Sequence, residues 1–154
     1  MPFRLIDRKE TFVAGLPVRS PRRALGKVRD PHLEKVWFAV LNGENSGPLA
    51  STYTDHAEEV GSYYIQTVGY CCDSLDDVPP GYMISRLPAG TYAKFSVTGD
   101  DFAEIFSQLW EEIWEAERRG EIERTFTGDF EYYPHAYGVD LYIAVRSTKC
   151  VELQ

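Results

Sequence analysis

A glutamate lies within an aromatic run, Asp129-Phe130-Glu131-Tyr132-Tyr133, just ahead of Gly138-Val139-Asp140-Leu141-Tyr142-Ile143-Ala144-Val145. Both segments alternate with the period of a strand, so they read as paired neighbours at the end of one sheet. A carboxylate among so many rings suits an apolar cation, because the rings supply area and cation–π attraction while the carboxylate supplies the opposite charge. In the second strand Asp140 and Tyr142 share one face, and Leu141 and Ile143 share the other. The aliphatic pair reads as core, and Asp140 reads as lying at a solvated rim. Trp110 and Trp114 sit four apart and so share a helix face, where such residues form either core or pocket wall.

Other chemistries find no footing in the sequence. No serine stands in a nucleophile-elbow context, no Gly-rich loop links a strand to a helix, and no carboxylate–histidine cluster has ligand spacing. The chain therefore offers no catalytic residues, no metal site and no cofactor. His56 and His135 read as exposed turn residues. Cys71, Cys72 and Cys150 have no metal spacing and read as reduced thiols.

The elements that must carry these residues repeat at a spacing of about 80 residues. Glu10-Thr11-Phe12-Val13-Ala14 parallels Gly90-Thr91-Tyr92-Ala93-Lys94, and His56-Ala57 with Tyr64-Ile65 parallels His135-Ala136 with Tyr142-Ile143. In the second half, strands are expected over 82–87 and 91–97, then a helix from Asp101, then strands at about 127–134 and 138–147. Asp101 and Glu104 have the spacing of a capping box. Phe102, Ile105, Phe106, Leu109 and Ile113 make an apolar stripe, and Gly120 is a stop. The first half gives the same order: strands at about 3–7 and 11–18, a helix at about 31–41, strands at about 51–57 and 62–70. Trp37 on that helix is the counterpart of the later tryptophans, with core packing as its role. The expected fold is α+β, with two pseudo-symmetric strand–strand–helix–strand–strand repeats forming one antiparallel sheet. Both helices cover one face, and a central cleft lies where the halves meet. The chain reads as one domain over residues 1–154, with repeats at about 1–72 and 82–150 and a connector at about 73–81.

Composition narrows the partners. The chain has 154 residues and a formal net charge of −8, which disfavours direct binding to nucleic acid. The early basic cluster of Arg19, Arg22, Arg23, Lys27 and Arg29 reads as a solvated loop face. No signal core or membrane-length apolar run is present, so no membrane partner and a cytoplasmic location are expected. Aromatic residues make up 14%, a large share that agrees with a ring-lined site.

In this order and spacing, four segments resemble the GyrI-like small-molecule-binding domains, the bacterial effector-binding domains of multidrug-responsive transcription activators. They are Leu87-Pro88-Ala89-Gly90-Thr91-Tyr92-Ala93-Lys94-Phe95 with Gly99; Trp110 with Trp114; 129–133; and Val139-Asp140-Leu141-Tyr142-Ile143. The resemblance covers essentially the whole chain. It implies a stand-alone binding protein for hydrophobic cationic compounds, with Glu131 as the binding carboxylate and Tyr142 as the recurrent closing-strand tyrosine. Trp110, Trp114 and at most one of Tyr92 and Phe95, which face opposite ways, would complete the lining. A strand glutamate otherwise faces solvent or pairs with arginine. Ala144 departs from the proline common in the family, a change expected to affect an edge strand more than the pocket. The resemblance also leaves room for a hydrolase of strained electrophiles with Glu131 as general base. It further allows a protein-directed role through a separate protein partner, a regulator or a topoisomerase.

Overall fold

The computed structural model describes residues 3–19, 31–43, 48–54, 64–72, 74–135 and 138–146. Arg22, Arg23, Lys27, Arg29, His56 and Cys150 lie outside these residues, as do the side chains of Arg19, His32 and His135. The first half contains β1 (Arg4–Arg8), β2 (Thr11–Arg19), α1 (Pro31–Leu41), β3 (Leu49–Thr54) and β4 (Ile65–Cys72). The second repeats that order with β5 (Met83–Leu87), β6 (Gly90–Thr98), α2 (Phe102–Arg118), β7 (Asp129–His135) and β8 (Gly138–Ala144). Asp101 caps α2 by accepting from the Glu104 amide at 3.2 Å. Gly120, at φ +74°, ends the helical path in a conformation that costs glycine little.

The described strands form one eight-stranded antiparallel sheet in the order β1-β6-β8-β7-β3-β4-β2-β5. Exchanging the two repeats and reversing that order returns the same sheet, so it has a pseudo-twofold at the β3–β7 seam. The expected pairing of β7 with β8 is present, but at the centre of the sheet rather than its end, since β7 also forms the seam with β3. Each repeat lends its first strand to the other: β1 pairs with β6, and β5 pairs with β2. These two ladders are continuous, with Arg8 opposite Gly90 and Thr11 opposite Leu87 on either side of the turn at Lys9-Glu10 and Pro88-Ala89.

Such a turn requires strong curl. Thr52 on central β3 and Ser85 on edge β5 have hydroxyls 2.7 Å apart, although three strand spacings would separate those strands by about 14 Å in a flat sheet. Close approach of β2 and β4 permits the curvature. Gly15 opposes Gly69, and a side chain on Gly69 would overlap the Ala14 carbonyl.

The sheet thus has two different faces. On one, Ala93, Phe95, Leu141 and Ile143 form a core with Ile105, Leu109 and Ile113 of α2. On the helix-free face, Leu87, Tyr92, Phe130, Tyr142 and Ala144 pack together. Ala144 ends an interior strand, not an edge. Its buried amide donates to Asp129 Oδ1 at 2.8 Å, a bond that proline could not make.

Candidate functional site

Across the β3–β7 seam Ser51 opposes Glu131, placing both on one face at the pseudo-twofold. Two positions further along each strand stand Tyr53 and Tyr133, on that same face by strand alternation. Tyr53 donates its hydroxyl to Glu131 Oε2, and Tyr133 donates to Oε1 at 2.7 Å. Glu131 is 2% exposed and Tyr53 4%. Accepting at both oxygens suits an ionised carboxylate, which has no proton to give.

Each tyrosine is in turn met by a tryptophan from a helix. Trp110 of α2 stands edge-on to Tyr53 at 6.0 Å, and Trp37 of α1 stands edge-on to Tyr133 at 5.5 Å. These contacts put both helices on the Glu131 face and repeat across the pseudo-twofold. Trp114 lies 6.0 Å from Trp110, Tyr64 lies 5.5 Å from Tyr53, and Phe106 lies 6.4 Å from Tyr133. These outer rings are half-buried. The result is a buried carboxylate held by two tyrosines, each backed by a tryptophan from a different helix.

A fixed cation borders this cluster. Arg124 Nη2 contacts Asp129 Oδ2 at 2.9 Å, and its guanidinium stands 5.7 Å from the Trp110 ring and 4.4 Å from Phe126. Asp129 also holds the Ala144 amide, so the pair ties the loop before β7 to the end of β8. Its burial marks it as part of the frame.

The six residues proposed from sequence fall into three places. Glu131, Trp110 and Trp114 lie in one cluster. Phe95 is packed under α2 with Phe3, ring centroids 5.2 Å apart. Tyr142 and Tyr92 lie on the helix-free face. Glu131 opposes Leu141, so the next residue, Tyr142, points away and opposes Phe130. Tyr142 stacks on Phe130 at 4.6 Å, with the Arg8 guanidinium 4.5 Å from its ring. The Tyr92 hydroxyl donates to the Pro88 carbonyl at 2.6 Å. Sequence reading missed Tyr53 and Tyr133 and assigned Trp37 to the core. Alternation places Tyr133 on the face of Glu131, and the repeat then points back about 80 residues to Tyr53.

An open hollow of about 520 Å³ lies elsewhere, at the β1–β2 turn, lined by residues that include Asp7, Arg8, Glu10 and Cys72. Its mixed charges and single phenyl ring, Phe12, lack the ring enclosure around Glu131. Among the described residues no group of three His, Cys, Asp or Glu side chains could hold a metal, and no helix is long and apolar enough to cross a membrane.

Residues 4–145 match the family described as integron-associated effector binding protein, Cass2. The chain is 34% identical over 149 residues to YobU of Bacillus subtilis (strain 168), a protein named provisionally as a transcriptional regulator. That match covers 86% of this chain and 91% of YobU. Among solved structures, the Cass2 integron cassette protein from the mobile metagenome of Vibrio cholerae superposes with a TM-score of 0.75 at 22% identity, covering 94% of this chain and 95% of the other. SAV2435, solved bound to tetraphenylphosphonium, gives a TM-score of 0.68 at 13% identity, covering 97% of each chain. The fold is that of the GyrI-like effector-binding domains.

Proposed function

Because the chain belongs to the integron-associated effector-binding proteins and so is a small-molecule effector-binding domain, we propose that its ligands are hydrophobic organic cations seated over Glu131. The observation that carries this reading is the buried Glu131 carboxylate, accepting from Tyr53 and Tyr133 between the Trp37 and Trp110 walls. The tyrosine hydroxyls fix the carboxylate in place, so a ligand meets charge that needs no reorganisation. The rings contribute area at about 25 cal/mol per Å² and cation–π attraction of about 0.5–2 kcal/mol each. Both terms are weakly directional, which suits a site that accepts many shapes. That SAV2435 was solved with a lipophilic phosphonium supports the ligand class.

Tryptophan-quenching titrations with tetraphenylphosphonium and with neutral triphenylphosphine oxide test the proposal. Saturable micromolar binding of the cation is expected, with Glu131→Gln weakening it at least tenfold, a loss of about 1.4 kcal/mol. Equal binding of both compounds, or no effect of the substitution, would sink it.

Hydrolysis of strained electrophiles is a second reading, with Glu131 as general base and an adjacent tyrosine hydroxyl, Tyr53 or Tyr133, placed to hydrogen-bond the leaving oxygen. Turnover of a cyclopropane-type electrophile that stops in Glu131→Gln would establish it. A regulatory role would run from the occupied site to a separate protein partner.

A further inference from the structure

One strand over from Tyr53 and Ser51, the sheet holds a buried polar atom without a partner among the described residues. Gln66 of β4 opposes Tyr53 and so shares the helix-covered face; it is 2% exposed. Its Nε2 donates to Ser51 Oγ at 2.8 Å, and Ser51 is the residue opposite Glu131. Its Oε1 is buried and accepts no hydrogen bond among the described residues. A buried amide oxygen left this way has given up its water with nothing in return, and native proteins leave few such atoms. With one Nε2 hydrogen committed to Ser51, Oε1 still offers its lone pairs, one strand over from the tyrosine that serves Glu131.

We propose that Gln66 Oε1 accepts an N–H group of the ligand, so that the site selects protonated amines, amidines or guanidiniums over quaternary onium ions of matched shape. The proposal rests on the cation reading above and narrows its ligand class. A protonated amine entering the site gives up a hydrogen bond to water that a quaternary ion never had. Rings and a carboxylate whose two oxygens already accept from Tyr53 and Tyr133 would therefore favour the quaternary ion, whose desolvation costs less. A neutral acceptor on the same sheet face reverses that order, because it replaces the lost water for the N–H cation only. A tetraphenylphosphonium-like ion would satisfy the charge and leave Oε1 unpaired.

The test compares imipramine, protonated at neutral pH, with its N-methyl quaternary derivative in wild type, Gln66→Met and Ser51→Ala. Methionine keeps the length and most of the volume of glutamine but removes the acceptor. Alanine at position 51 releases the amide, and it provides a second route should the first variant fold poorly. Wild type is expected to prefer imipramine at least fivefold, and the preference is expected to fall below twofold in both variants. A wild-type ratio near one, or a preference that survives Gln66→Met, overturns the role of Gln66. If tetraphenylphosphonium still binds in a Glu131-dependent way in that case, the cation reading stands without it. If none of the three cations binds, both fall together.

Discussion

Burial, reinforced by the negative charge of Asp129 and opposed by Arg8, pushes the Tyr92 hydroxyl up to about 12. In the unfolded chain it would titrate near the ordinary tyrosine value of about 10. Tyr92 thus contributes stability that is full below pH 10 and is lost as pH rises toward 12, because the unfolded chain sheds that proton first. The loss amounts to roughly 2–3 kcal/mol. Denaturant melts at pH 9 and pH 11 should show a steeper decline for wild type than for Tyr92→Phe; equal declines would remove Tyr92 as the cause. At pH 7 the same variant should cost about 1 kcal/mol, for the hydrogen bond to Pro88. At this scale, sequence revealed individual residues better than their neighbours. Glu131 stood out from its own aromatic run, whereas Tyr53 lies far off in sequence and meets Glu131 only through the seam. Tyr142 illustrates the limit of alternation, which separates two faces correctly but does not say which face the helices cover.

The elements were legible where the signal is local. Asp101, Glu104 and the apolar stripe mark α2 from its own turns, and the bond from Asp101 to the Glu104 amide matches the capping pattern. Strand partners carry no such local mark. Alternation in β1 and β5 is the same whether they pair within a repeat or across it, and only the ladders of β1 with β6 and of β5 with β2 reveal the crossing. The Gly15–Gly69 pair belongs to this non-local class, since neither glycine announces that two backbones touch there. Gly69→Ala should therefore destabilise by more than about 4 kcal/mol, in the range reserved for severe backbone or core disruption. Chemical denaturation would measure it, and a loss under 1 kcal/mol would show that β2 and β4 can separate without cost.

At the scale of the molecule, the strand exchange makes the repeats mutually dependent. A half comprising residues 1–76 lacks the partner of β1, and one comprising 77–154 lacks the partner of β5. Each half expressed alone should show little native circular dichroism, and mixing the two should restore it with a 1:1 stoichiometry. A half that folds cooperatively by itself would refute this dependence. The duplicated order of elements was readable in the sequence; their interlocking was not, because it depends on pairings between residues about 80 positions apart.

Ser51 and Glu131 face each other at the pseudo-twofold, and that has a consequence for charge parity. A dimer of two identical halves can place at its axis only matched groups, hence two carboxylates or none. Two would repel each other and favour a divalent guest; none would leave a singly charged guest without a counterion. Joining the halves in one polypeptide lifts that restriction. One side of the axis keeps an acid while the other keeps a hydroxyl, leaving a single negative charge, the complement of the monocation proposed above.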